Sequence, residues 1–419
     1  MRVDRLGDLG AAADVLRAVA AATARRGLAP PAALTGDWLG STALIAPSLT
    51  TAPCDPGAVF SPGVERRSRG PVVGGGWLGY LSYPDPSGDG SGPRIPVAAG
   101  GWTDHLLRRD ADGAWSYESL RDEPMPGWLV SALADETTGE AADAGWHIDW
   151  RAPDRGQHLA AVRDCLEAIA AGEVYQACVC TRFTGRLSGS SLEFFADAVA
   201  ATAPARAAYL AGPWGAVASL SPELFLARHG DRLTSSPIKG TLPATANPAA
   251  LRSSVKDVAE NVMIVDLVRN DLSRVAAVGS VTVPELLAVR PAPGVWHLVS
   301  TVAARLKPGV DMPEVLDACF PPASVTGTPK LRARELLPSW EPHRRGIYCG
   351  TVGFASPLAG TELNVAIRTV EFDADGGAVL GVGGGITADS DPDDEWQECL
   401  HKAAATIGLA GQSRACSTA

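Results

Sequence analysis

Lys239 lies in the tight segment Pro237-Ile238-Lys239-Gly240-Thr241. A lysine on a Pro/Gly loop is a candidate nucleophile. An ammonium has no lone pair to offer, so the loop must desolvate it or set it near other cations before it can attack carbon. A solvated surface charge is the competing reading. Carboxylates recur elsewhere at helical spacing. Glu395, Glu398 and Lys402 follow i, i+3, i+7, and Asp257 and Glu260 follow i, i+3, so each set stacks on one helical face. Two carboxylates from each of two helices, facing across a cleft, make an oxygen-rich site suited to Mg²⁺. Such a site keeps waters and lets an anionic substrate complete the shell. A plain solvated helix surface is the alternative.

Two further groups could act on an anion, and one more carboxylate stands apart from the helices. Arg368 sits in the otherwise apolar run Leu363 to Val370. It either snorkels outward or awaits a carboxylate, which its planar fork suits. Gly383-Gly384-Gly385 could present successive N–H groups as an anion nest, or be a plain glycine turn. Glu223 follows Pro222 at a strand end and by itself reads as a surface or capping carboxylate.

The elements that must position these groups are legible in part. Residues 1 to about 145 are weakly patterned, with a helix expected over Ala11 to Arg25 and strands over Trp38 to Ala46 and Val72 to Tyr83. Pro84 to Pro96 reads as a loop, and Ala134 to Gly145 as a linker. Gly74-Gly75-Gly76 has no βαβ unit after it, so a dinucleotide site is a weak reading. From Gln157 the pattern sharpens. Leu159, Val162, Leu166 and Ile169 mark a helix that Gly172 ends, and Val174 to Phe183 reads as a strand. Ser219 to Ala227 reads as a strand with Ser219, Ser221 and Glu223 on one face. Val258, Val262, Val265, Val268, Leu272 and Val275 mark one side of a long helix. Val295 to Ala303, Gly346 to Phe354 and Leu363 to Phe372 read as strands, and Asp391-Pro392 opens a last helix as N-cap and first position. Strands come in runs rather than alternating with helices. The fold class expected is therefore α+β with antiparallel sheets.

Bulk properties narrow the partners. The 419-residue chain carries a net charge of −11. That argues against nucleic acid or an anionic membrane surface. A dianionic substrate would need locally built positive potential. No apolar run is long enough to span a bilayer, and the first residues (MRVDRLGDLG) lack the layout of a signal peptide, so the cytoplasm is the expected location. The eight cysteines are scattered, with no CxxC pair. Cys178 and Cys180 share a strand face and read as small buried apolar residues rather than as metal ligands or a disulfide.

In order along the chain, Ser219-Leu220-Ser221-Pro222-Glu223, the Lys239 loop, Lys256 to Val275, Phe320 to Lys330, Arg345 to Gly350, Leu363 to Thr369 and Gly383 to Lys402 resemble the chorismate-utilising enzymes. The resemblance runs from about Asp154 to Leu409. It implies two large packed antiparallel β-sheets flanked by helices, with residues 1–145 as an N-terminal, regulatory candidate and residues 154–412 as the catalytic region, interleaved in one globular unit. It implies Glu260 and Glu398 as Mg²⁺ ligands, with Asp257 and Glu395 supporting the metal through water. It implies a pocket for the enolpyruvyl carboxylate at Tyr348, Arg368, Gly383 and Gly385, with Lys402 near the ring carboxylate. Glu223 is implied as general acid at the C4 hydroxyl, His297 as an active-site histidine, and Thr326, Gly240 and Thr241 as substrate contacts.

Within that family a lysine in the PIKGT loop resembles the aminodeoxychorismate synthases, since the anthranilate and isochorismate enzymes usually carry alanine there. Gln176 stands where the isochorismate and salicylate enzymes carry a water-activating lysine, and a neutral amide cannot take a proton from water. The implied reaction is amination of chorismate at C4 through covalent addition of Lys239 at C2. The alternatives are a synthase aminating at C2 and a catalytically silent chorismate-binding paralogue. No nucleophile-elbow cysteine with a following histidine and glutamate is visible, so ammonia is expected from a separate glutamine amidotransferase subunit. The sequence departs from the family at Cys178, where Asn is usual, at Thr328, where Ala is usual, and near Ala244, where Arg is usual.

Overall fold

Pro222 has no N–H to give to a ladder, and at Pro222 the chain leaves one sheet for another. The strand Gly215–Ser221 belongs to a twelve-stranded sheet, and Leu224–His229 belongs to a ten-stranded one. The single strand expected over Ser219 to Ala227 is thus two strands, with Glu223 in the crossing. The run Leu363 to Phe372 divides the same way, into Gly360–Asn364 in the ten-stranded sheet and Thr369–Asp373 in the twelve-stranded one. Arg368 is therefore not inside a strand. It occupies this second crossing with φ +50°, a left-handed backbone that few non-glycine residues adopt. The structure is a computed structural model and describes residues 1–61, 71–85, 92–134 and 145–409. The linker expected between Ala134 and Gly145, the middle of the Pro84 to Pro96 loop and Cys416 lie outside the described residues.

In the larger sheet the order is Arg2–Gly7, Trp115–Ser119, His105–Arg109, Ser41–Ala46, Ala32–Trp38, Arg206–Gly212, Gly215–Ser221, Thr369–Asp373, Gly377–Ile386, Gln176–Gly189 and Gly327–Thr328. Trp146–Arg151 pairs the far end of Gln176–Gly189. The smaller sheet runs Ile238–Pro243, Val295–Arg305, Arg232–Ser236, Leu224–His229, Gly360–Asn364, Thr351–Ser356, Gly76–Leu81, Ala98–Thr103 and Ala52–Pro53, with Thr282–Ala292 on the other side of Val295–Arg305. The pairings are antiparallel. Both sheets mix early and late strands, so early and late sequence share one core. Trp38 to Ala46 is not one strand either: the chain turns at Leu39-Gly40 between two strands. Of the run Gly346 to Phe354, the first residues form a turn, and the strand begins only at Thr351.

The sheets meet through Leu34, Leu44, Leu210 and Val217 on one side and Leu78, Tyr80, Val352 and Phe354 on the other. Ala12–Arg26, Ser191–Thr202 and Pro392–Ile407 cover the outer face of the larger sheet through Val19, Phe194, Phe195 and Cys399. Val255–Ser273 lies on Val295–Arg305 of the smaller sheet. Of the valine stripe, Val265, Val268, Leu272 and Val275 are buried, and polar residues are buried beside them. Val262 is exposed, while Glu260, Asn261, Ile264, Leu267, Val268 and Asp271 face inward. The inward amide is satisfied: Asn261 Nδ2 donates to Leu298 O at 3.1 Å, and Ser300 Oγ donates to Asn261 Oδ1 at 2.5 Å. A buried polar group without such partners would cost ~1–3 kcal/mol. Among the described residues, no helix is long and apolar enough to cross a membrane.

Candidate active site

The two crossings, the Lys239 loop and two helices enclose a cavity of about 740 Å³, ample for a small dianion. Lys239, Glu223, His297, Gly240, Thr241, Tyr348, Arg368, Gly383, Gly385, Lys402, Asp257, Glu260 and Glu398 all line it. Residues scattered from 223 to 402 in the sequence thus share one space.

The helix Val255–Ser273 starts at the Lys239 loop. Ser254 caps it, its hydroxyl accepting the Asp257 N–H at 3.2 Å. Asp257 then lies against Gly240, where φ is +90° and a Cβ would sit 3.0 Å from Asp257 Cβ. Only glycine serves at that position, because the backbone is left-handed and the helix is already in contact. One turn on, Glu260 Oε2 comes within 4.0 Å of Lys239 Nζ, and both side chains are mostly buried. Burial raises the Glu260 pKa, with Lys239 and Lys256 opposing the rise and Glu398 and Glu395 adding to it. Carboxylates of both helices therefore share one electrostatic field.

Pro392–Ile407 begins as expected, with the Asp391 carboxylate accepting the N–H groups of Asp393 and Asp394. Glu398 pairs with Lys402 at 2.6 Å, and Lys402 Nζ also donates to Gly383 O at 2.7 Å. Burial alone would lower the Lys402 pKa, but Glu398 outweighs it and the value rises to about 12. Glu395 does not line the cavity. It is buried under Gly384, accepting from Ser390 Oγ at 2.7 Å and Lys256 Nζ at 3.3 Å, while its other oxygen has no hydrogen-bond partner.

These carboxylates bear on the Mg²⁺ expectation. Among the described residues, no three His, Cys, Asp or Glu side chains lie close enough to hold a metal ion by themselves. A cation here would draw ligands from substrate and water as well, which is how Mg²⁺ commonly binds. The donor set fits such an ion. It is hard oxygen, Glu260 and Glu398 both face the cavity, and behind them Glu395 keeps an orphaned buried oxygen. Lys239, Lys256, Lys402 and Arg368 face Glu223, Asp257, Glu260 and Glu398 across the cavity, four cations against four acids. That balance leaves little attraction for a dianion unless a cation is added.

Gly377–Ile386 forms the floor. It pairs with Thr369–Asp373 only as far as Leu380, so beyond that point one edge opens on the cavity. Gly383 to Gly385 are extended residues of this strand, paired with Cys180, Val179 and Cys178. The anion-nest expectation is therefore corrected, because a nest needs left-handed turns in the backbone. What the glycines provide is absence of side chain. A Cβ at Gly381 would meet the Tyr348 ring at 2.2 Å, and one at Gly385 would meet Gln176 Nε2 at 2.4 Å and Lys239 Nζ at 3.3 Å. Gln176 is thus beneath the reaction space, next to Lys239, with its side-chain oxygen unpartnered, rather than on the cavity wall.

Glu223 is buried between the sheets. Burial pushes its carboxyl up to about 7, against the pull of Ser324, Lys239, the Ile238 N–H and Arg368. Burial lowers the Arg368 pKa while Glu223 raises it. His297 Nδ1 is 2.8 Å from the Thr241 hydroxyl. Burial, then Arg368, lowers its pKa to about 4, so the ring is neutral near pH 7. Thr326 does not reach the cavity: its hydroxyl donates to Pro322 O and Ala323 O at 3.1 and 3.2 Å. Cys178 lines the wall as a buried free thiol.

Sequence reasoning passed over Ser324, Lys256 and the pair Arg345–Glu341. Arg345 Nη2 donates to Cys178 O at 2.6 Å and Nη1 to Val325 O at 2.7 Å, while Glu341 holds the guanidinium at 2.6 Å. This pair fixes the floor behind Tyr348. The Arg345 to Gly350 motif carried that signal, but only as a sequence match.

Comparison with known proteins accords with this geometry. A profile for chorismate binding enzymes matches residues 74–408. Aminodeoxychorismate synthase component 1 of Salmonella typhimurium is 39% identical over 282 residues, 66% of this chain and 61% of that protein. The protein of the same name from Escherichia coli is 40% identical over 262 residues, 61% of this chain and 58% of its own length. The chain thus spans about three fifths of these relatives' length. The crystal structure of anthranilate synthase component I from Streptococcus pneumoniae superimposes with a TM-score of 0.72 at 23% identity, covering 91% of each chain, and shares the fold of two antiparallel sheets with helices. The chain belongs to the chorismate-binding enzyme family.

Proposed function

We propose that this member of the chorismate-binding family aminates chorismate at C4 with ammonia, giving 4-amino-4-deoxychorismate. The observation that carries the reading is that Lys239 and a protonatable Glu223 line one cavity. Chorismate is a dianion whose C4 hydroxyl is a poor leaving group. Glu223, with its carboxyl raised to about 7, can hold the proton that departure requires. Lys239 Nζ, freed of its proton, bonds to C2 as the C4–O bond breaks, and the oxygen leaves as water with the proton from Glu223. Ammonia then bonds to C4 while the C2–N bond breaks. Lys239 is regenerated and the new ammonium sheds a proton.

Arg368 and Tyr348 bind the enolpyruvyl carboxylate, and neutral His297 supplies a polar wall without competing for protons. Glu260 and Glu398 would hold Mg²⁺, with Asp257 and Glu395 behind them. When bound, the ion supplies positive charge to the ring carboxylate. Gln176 beside Lys239 offers no base for water, which supports addition of an amine over hydration. The names of the relatives support the same reaction, and "component 1" in those names supports a second subunit. We take that subunit to be a glutamine amidotransferase supplying ammonia in the cytoplasm. The test is incubation of the chain with chorismate, Mg²⁺ and ammonium, with the product identified by mass and ultraviolet spectrum. 4-Amino-4-deoxychorismate is expected; anthranilate or isochorismate would overturn the assignment.

A further inference from the structure

Asp271 and Lys330 lie in two of the sequence motifs, yet neither reaches the cavity that holds Lys239. Lys330 Nζ donates to Asp271 Oδ2 at 2.5 Å and to the carbonyls of Cys319 and Pro321 at 2.9 Å each. Its donors are spent on anchoring the turn before it. Asp271 has another neighbour. It lines a small void of about 20 Å³ together with Glu223, Ser235 and Ser324. Glu223 and Ser324 also line the main cavity, so they form the partition between the two spaces. A void of ~10–15 Å³ is enough for one water when two to four polar groups surround it. This one has four.

We propose that the void behind Glu223 holds one water, which passes protons between Asp271 and Glu223. The inference rests on the reading of Glu223 as general acid. After Glu223 has given its proton to the departing hydroxyl, the water donates one proton to the Glu223 carboxylate and takes one from the Asp271 carboxyl. Asp271 regains its proton from solvent, since its side chain keeps 8% exposure. Protons are conserved throughout, and no other reactant is needed. Burial brings the two acids close in strength. It lifts Asp271 to about 6 against the pull of Lys330 and Arg274, and Glu223 to about 7 against Ser324, Lys239, the Ile238 N–H and Arg368. The thiol of Cys319, also facing Asp271, is pushed up by burial to about 12 and stays protonated. Transfer between near-matched groups is fast in both directions. Asp271 touches no substrate; it is a positioning residue that acts through Glu223.

Two variants test this. Asp271→Asn keeps the shape and can still accept from Lys330. Ser235→Val fills the void and leaves the Asp271–Lys330 pair intact. Each is expected to lower kcat about tenfold, a small part of the effect of general acid catalysis, with KM for chorismate unchanged. Each should also raise the solvent deuterium isotope effect on kcat, and the double variant should be no slower than either alone. A folded variant of either kind with wild-type kcat and isotope effect overturns the relay. So does a loss of rate with an unchanged isotope effect, which is what a purely anchoring Asp271 predicts. If Asp271→Asn fails to fold, Ser235→Val decides. Glu223→Gln separates the two readings. Full activity in that variant removes the acid itself, whereas an inactive Glu223→Gln beside wild-type Asp271→Asn and Ser235→Val removes only the relay.

Discussion

Glu223 and Arg368 sit in two of the places where the chain passes between the sheets, and each of these crossings holds the other. The Glu223 carbonyl accepts the N–H of Val365 at 3.0 Å, and the Arg368 carbonyl accepts the N–H of Leu220 at 2.9 Å. A carboxyl and a guanidinium are thereby fixed across one cleft by backbone, not by flexible side chains. That arrangement suits chemistry in which a proton must reach one atom of a substrate whose carboxylate is held elsewhere.

The first prediction concerns pH. Burial raises Glu223 from 4.5 to about 7. The acid form should support turnover at lower pH, and kcat should fall as pH rises through about 7. The sign for stability follows from the same shift. A group whose folded pKa is raised contributes stability that is complete below the unfolded value near 4.5 and is lost as pH rises through about 7. Glu223→Gln, which cannot ionise, should therefore be more stable than the parent above pH 7, by on the order of 3 kcal/mol at most, and inactive. Melting curves at pH 5 and pH 8 check this. Equal melting temperatures for the two proteins at both values would show that Glu223 is not strained by burial.

The second prediction concerns the floor. A Cβ at position 385 would approach Gln176 Nε2 to 2.4 Å and Lys239 Nζ to 3.3 Å. Both are the far ends of flexible side chains, so Gly385→Ala should fold. It should nonetheless displace the amine from the cavity floor and cost about a hundredfold in kcat, as small misplacements of a reacting group do. Circular dichroism and steady-state rates together check it. A folded variant with normal rate would mean that Lys239 does not work from this position.

The sequence showed the elements whose signals are local. Asp391-Pro392 announces a helix start because capping is a property of neighbouring residues, and the spacing of Glu395, Glu398 and Lys402 follows from one helix. Glu223 and Arg368 were harder, because alternation of period two continues from a strand of one sheet into a strand of the other. Pro222 marks the first crossing, but nothing comparable marks the second. The valine stripe found most of the buried side of Val255–Ser273 but not the Asn261 and Asp271 buried beside it, since these are accommodated by partners remote in sequence. Thr326 resembled a substrate contact but spends its hydroxyl on its own turn. Three glycines suggested a nest, and only the pairing with Gln176–Gly189 shows that they are a bare strand.

The third prediction concerns the metal. With Glu398 on Lys402 and Glu260 near Lys239, the acids are balanced by lysines. Mg²⁺ should compete for the same carboxylates. Chelator is expected to abolish turnover and added Mg²⁺ to restore it. Glu398→Gln should weaken Mg²⁺ binding, read by calorimetry with the ion alone, while the fold persists because Glu398 is only partly buried. Full activity in metal-free buffer would refute the assignment.

The last prediction concerns Lys239. A nucleophilic amine leaves a covalent trace that a merely electrostatic lysine does not. With chorismate and Mg²⁺ but no ammonia, part of the enzyme should carry a chorismate-derived adduct after rapid quenching, mapping to the peptide that contains Lys239. Lys239→Ala should remove the adduct and reduce formation of 4-amino-4-deoxychorismate by at least about a hundredfold, within the range that loss of a catalytic group produces. The space it vacates lies directly over Gly385, beside Gln176. Ammonia can then attack C2 itself, so a 2-amino product should become detectable. Lys239→Arg should not rescue, because a guanidinium stays protonated at any workable pH. Glutamine in place of ammonia should give no amination by the isolated chain, whereas a high concentration of ammonium should, since free NH₃ is the nucleophile. If Lys239→Ala kept the parent rate and product, covalent addition at C2 would be excluded and the amination at C4 would need another explanation.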